Sequence, residues 1–350
     1  MNEKLWEQLD LSDVNRVVEE LPGSGAHDFS DVSAQIMQGD FKAAWNMLGS
    51  AAADVCVPGI LESKSLFAGI LLLGLFAVFL HHAFGMVKSR QVADMAYYFV
   101  YLLLVLLLLS GFGEMLVTTE EILEGCKNFM TALIPAYCLS VSLSAGSISA
   151  AVNYEIMLYL LLGIDYILVG LLLPVTHSYV FLCVVDGLDD RRPMKAFIQI
   201  LERCISWGIK LCLMVTMMVS GVQNAVTIHM DGMQKTVFQK AVKAIPGIGD
   251  MSETVTEVLM GSAGLIKGSV GTAAMVFLFL VIFRPLWKIV CMSITMKLAG
   301  ACIRFMGESR LADIVSKIGE AGILAMRTAL CGVLSFCIVI AMTMFVFRGG

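Results

Sequence analysis

Apolar residues gather into runs long enough to cross a bilayer, with short polar stretches between them. Leu66 to Met86 is the first run, and Lys88 and Arg90 follow at once. Met95 to Val117 is the second, with Tyr97, Tyr98 and Tyr101 at the end nearest those charges, where an aromatic belt belongs. Glu120, Glu121 and Glu124 form an acidic connection. Phe129 to Val152 is long enough to span, but it holds Pro135 and five serines. Ile156 to Val184 contains Asp165 and a predicted kink at Pro174, and a compact charged loop, Asp186 to Pro193, follows it. Ile205 to Ile228 is the next span. Thr272 to Phe283 is apolar until Arg284-Pro285, and an amphipathic helical pattern continues to about Ile303. Arg304, Arg310, Asp313 and Lys317 make a polar connection before the last span, Gly322 to Phe347, which carries Arg327 near its start.

The longest polar interruption runs from Lys235 to Gly271. Val237, Phe238, Ala241, Val242 and Ile245 recur at helical spacing, with Lys235, Lys240 and Lys243 between them. Pro246 stops that helix, Gly247 and Gly249 make a turn, and Asp250 with Glu253 forms a capping box for a second helix. Gly261, Gly264, Gly268 and Gly271 then offer a small-residue stripe for close helix approach. This reads either as a basic amphipathic arm feeding a close-packed membrane helix or as an ordinary loop with incidental glycines. Ala132, Ala136, Ser140 and Ser144 form a second stripe, four residues apart, on a segment that is either a packing helix or a pore-lining, re-entrant one.

Composition settles the class. Of 350 residues, 58% are hydrophobic and only 15% charged, against roughly half and a quarter in soluble domains. The expected fold is all-α: a polytopic membrane protein of six to seven segments with a small N-terminal helical extension. The net charge of −5 is spread thinly and excludes a nucleic-acid partner. Ten cysteines contain no C-x-x-C, and most lie in apolar runs, where they act as small packing residues. The histidines have no ligand spacing, so no metal or cofactor is expected. Met1 is followed by a polar segment and not by a signal-peptide pattern. G-x-S-x-G, H-E-x-x-H and P-loop motifs are all missing, which argues against an enzyme. Asp165, Arg284 and Arg327 are the ionisable residues within apolar runs, and such residues are functional candidates by default.

Sidedness follows from the short loops, because Lys and Arg concentrate on the cytoplasmic side. With six crossings, the loops bearing Lys88/Arg90, Arg191/Arg192/Lys195/Arg203 and Lys297/Arg304/Arg310/Lys317 all lie inside. The N-terminus and the 235–271 arm then lie outside, and 129–152 is re-entrant. The chain divides into an extracytoplasmic helical extension (1–64), a first membrane block (65–228), the central arm (229–269) and a second membrane block (270–350).

The run from Ile245 to Gly271 resembles the I-P-x-x-G, S-[DE]-x-x-[DET] and G-x-x-x-L-[IL]-K-[NG]-x-V-G pattern of the stage III sporulation protein AE family. Ala96-Tyr97-Tyr98, Asn128-Phe129-Met130, Leu133-Ile134-Pro135 and Arg284-Pro285-Leu286 sit where that family has similar features. The resemblance covers roughly Ser65 to Gly350. Lys267-Gly268 stands where the family more often has Lys-Asn. The resemblance implies a protein of endospore-forming bacteria in the mother-cell-derived membrane around the forespore. Its implied partners are the lipid bilayer and the other membrane proteins of a secretion-like channel complex, with a homo-oligomer left open. The alternative is a permease moving a small solute through its own helices, with 129–152, Asp165 and Arg284-Pro285 as a substrate site.

Overall fold

Long helices dominate the chain. The computed structural model describes residue 59 and residues 63–80, 90–145, 148–188, 193–243 and 249–345, and within these it is helix and short turn with no strand. We label the helices α1 (Ser63–Leu80), α2 (Arg90–Ala145), α3 (Ile148–Ile167), α4 (Leu173–Leu188), α5 (Lys195–Lys243), α6 (Gly249–Phe305) and α7 (Ser309–Phe345). A five-residue π-helical segment, Leu168–Leu172, joins α3 to α4 without a break. Among the described residues, six stretches are long and apolar enough to cross a membrane: Ser63–Leu80, Met95–Leu133, Tyr159–Leu188, Lys195–Val222, Gly271–Phe305 and Ser309–Met342.

Several expected breaks are absent. The acidic stretch at Glu120 to Glu124 is helix, and 129–145 continues α2 past Pro135 and forms no separate re-entrant element. Arg284-Pro285 does not interrupt α6. Proline removes one ladder hydrogen bond, and neighbouring helices in a membrane bundle make that tolerable. The polar connection before the last span shrinks to 306–308, so Arg310, Asp313 and Lys317 belong to the first turns of α7. Gly307, at φ 99°, supplies the left-handed residue that ends α6. The kink expected at Pro174 takes the form of the π segment. Leu173 N–H bonds back to Leu168 O, widening the turn that the Pro174 ring would otherwise strike. The helix stop expected at Pro246 lies outside the described residues, with α5 described to Lys243 and α6 from Gly249.

The core lies where α2, α6 and α7 meet. Phe129 stacks on Phe277 at 5.7 Å and meets Phe336 edge-on at 6.2 Å, and all three are buried. The contact between α6 and α7 is the most extensive of all helix pairs. A Cβ on Gly300 would lie 3.0 Å from Ala312 O, and one on Gly319 would lie 3.0 Å from Ser293 O. Only hydrogen fits at these two positions. Outward-facing Leu72, Phe79, Leu106, Trp207, Leu211 and Met218 supply an apolar exterior suited to hydrocarbon.

Candidate functional site at the basic end of the bundle

Four helix ends converge on one polar centre. Asp186, in the last turn of α4, is 1% exposed. Its Oδ1 accepts the Met194 N–H at 2.9 Å, and Lys317 Nζ lies 3.4 Å from its Oδ2. One carboxylate therefore ties the end of α4 to the entry of α5 and the first turns of α7. From the start of α2, Tyr101 Oη donates to Val184 O at 2.8 Å. Gly187 fits beneath Ile314 and the Tyr101 hydroxyl, where a larger residue would collide. A cleft of about 550 Å³ opens beside this anchor, lined by Tyr98, Val185, Asp186, Leu188, Pro193, Met194 and Arg310. Arg304 pairs with Asp313 across the α6–α7 turn. This end holds together through charge-assisted bonds with most of their donors and acceptors satisfied, and its residues suit positioning better than bond-making chemistry.

These contacts also orient the helices. The starts of α2, α5 and α7 and the ends of α4 and α6 share this end, so α2, α5 and α6 run from it toward the other. The helices there are far longer than a bilayer requires. At 1.5 Å per residue, the 56 residues of α2, 49 of α5 and 57 of α6 extend about 84, 74 and 86 Å, against a hydrocarbon layer of about 30 Å. The surplus of α2, α5 and α6 lies on the side away from the basic end.

The residues singled out from sequence are distributed over several helices. Gly261, Gly264, Gly268 and Gly271 lie along α6, and Gly271 is buried. Ala132, half-buried against the core, and Ala136, Ser140 and Ser144 lie along α2. Lys235, Lys240 and Lys243 lie in the last turns of α5, and Gly249 begins α6. Pro246 and Gly247, with the 1–58 extension, lie outside the described residues. Asp165 is half-buried on α3, while Arg284 and Arg327 are exposed on α6 and α7. Hydropathy places Asp186 in a charged loop and Lys317 in a connection, and gives no hint of their pairing. The one available signal is an acid closing an apolar run just ahead of a glycine.

Among the described residues, a bundle of six membrane-length helices, anchored by ion pairs at one end and prolonged by α2, α5 and α6 at the other, defines a polytopic all-helical membrane protein. The chain belongs to the stage III sporulation protein AE family, whose model matches residues 27–346. It is 23% identical over 262 residues to stage III sporulation protein AE of Bacillus subtilis (strain 168). That match covers 74% of this chain and 66% of the relative, just under two thirds of its length. No solved structure matches.

Proposed function

We propose that this protein is a membrane component of a transenvelope, secretion-like channel between mother cell and forespore, needed for spore development and acting through protein–protein assembly. The observation that carries this reading is the surplus length of α2, α5 and α6. A protein working only within its own membrane gains little from helices two to three times the thickness of the hydrocarbon layer. Helices that reach across an intermembrane space need that length. Family membership supplies the setting in sporulation. In this reading the basic end faces the mother-cell cytoplasm, following the charge bias of short loops. The far ends of α2, α5 and α6 and the N-terminal extension face the space between the two membranes. The Lys235–Gly271 arm and the Gly264/Gly268 stripe are then contact surfaces for other membrane proteins of the complex.

The test is deletion of the gene in its natural host, with a tagged copy recovered midway through sporulation. Arrested engulfed forespores, and co-recovery of other membrane proteins that bridge the two membranes, are expected. Normal spores and a protein recovered alone would remove the proposal and leave solute transport in liposomes as the next assay.

A further inference from the structure

The α6–α7 edge carries charge from the turn at the basic end inward to bilayer depth. Asp313, Glu320 and Arg327 are spaced seven residues apart on α7, so they share one face. Lys297 and Arg304, also seven apart, stand opposite them on α6. Lys297 Nζ lies 3.8 Å from Glu320 Oε1, and Arg304 pairs with Asp313. The Lys297 and Glu320 side chains are 40% and 48% exposed. Arg327 is exposed as well, and no carboxylate pairs with it among the described residues.

Depth follows from the geometry. Arg327 lies about 27 Å along α7 from Ser309, within an apolar stretch, Ser309–Met342, about 51 Å long. Any 30 Å layer placed on that stretch contains it. Glu320 lies about 17 Å from Ser309. Its neighbour Gly322 packs on Met115, inside the Met95–Val117 run that Tyr97/Tyr98 and Glu120/Glu121 bracket. Charges at such depth face a protein interior or water, because hydrocarbon cannot solvate them.

Two features favour water over a covering partner. Four of the five ions already have counter-charges in Lys297–Glu320 and Arg304–Asp313, so a covering partner would desolvate two ion pairs, which rarely repays its cost. The seam also leaves room for water, because the residue exposed beside Lys297 is the small Ala301. We infer that the Lys297–Arg304–Asp313–Glu320–Arg327 seam lines a water-filled path through the membrane, closed on its far side by neighbouring subunits. This rests on the channel reading and names the surface that would form the conduit. The path is mixed in sign, with three cations and two carboxylates, and suits hydrated polar or ionic solutes over apolar ones.

The test is thiol accessibility in membranes from sporulating host cells, using a membrane-impermeant, cationic methanethiosulfonate reagent. Rates are taken above the wild-type background, to which exposed Cys204 contributes. Ala301→Cys, Glu320→Cys and Arg327→Cys are compared with exposed Ser309→Cys at the start of α7 and with Leu211→Cys on the apolar exterior. Ala301→Cys removes no charge and guards against a variant that fails to fold. Seam positions are expected to react within about tenfold of Ser309→Cys, and Leu211→Cys at least about a hundredfold more slowly. Seam rates equal to that of Leu211→Cys would overturn the inference. If the tagged protein still recovers its partners in the same membranes, only the seam is lost. If it is recovered alone, the channel reading falls with it.

Discussion

Asp186 and Lys317 meet at 3.4 Å although 131 positions separate them in the chain. The carboxylate is buried, and its other oxygen holds the Met194 N–H. Removing it strands both donors at the junction of three helices. Asp186→Ala should destabilise the protein by about 3 kcal/mol, the low end for breaking a buried pair because Lys317 keeps some solvent contact. Asp186→Asn retains an acceptor for Met194 and should cost about half as much. Thermal unfolding in detergent reads both, and equal melting of Asp186→Ala and wild type would show that the anchor carries no stability.

The α6–α7 crossing depends on two hydrogen-sized positions. Gly300→Ala and Gly319→Ala each place a Cβ about 3 Å from backbone oxygen of the facing helix. They should each cost about 1–3 kcal/mol by forcing the pair apart. At Gly113 and Gly221 a methyl group would meet nothing within 4 Å, so alanine there should be neutral or stabilise by up to about 1 kcal/mol through helix propensity. The contrast between the two pairs, read in one unfolding assay, separates close contact from a general intolerance of glycine replacement.

Asp165 lies about 35 Å along the α3–π–α4 helix from Leu188, at or past the far edge of a hydrocarbon layer that begins there. A side chain so placed needs no proton-relay role. Asp165→Asn should leave sporulation efficiency unchanged, and a loss of about tenfold or more in heat-resistant spores would revive the permease alternative.

Gly268→Leu should lower the recovery of partner membrane proteins severalfold while leaving the amount of protein in the membrane unchanged. Full partner recovery would remove the Gly264/Gly268 stripe from the assembly surface.

Much of the membrane architecture is legible in the sequence because hydrocarbon imposes a simple rule on side chains. The six spans of the described residues follow from polarity alone. Helix continuity is not legible. Glu120 to Glu124 and Arg284-Pro285 look like breaks because hydropathy reports solvent, whereas a helix leaving the bilayer changes its surface and keeps its backbone. The familiar glycine spacing falls at Gly264 and Gly268, yet the α6–α7 crossing closes on Gly300 and Gly319, which sit on different helices. Asp186–Lys317 and Lys297–Glu320 are also relationships between distant segments, and a single sequence carries no local mark of them.

The central claim is that the far ends of α2, α5 and α6 reach other proteins. A photo-crosslinking amino acid placed at Lys240, near the end of α5, can be compared with one at Lys195, at its start, in sporulating host cells. Adducts with other membrane proteins are predicted at position 240, and few or none at 195. Position 240 free of protein adducts while the tagged chain is present at normal levels would contradict the claim.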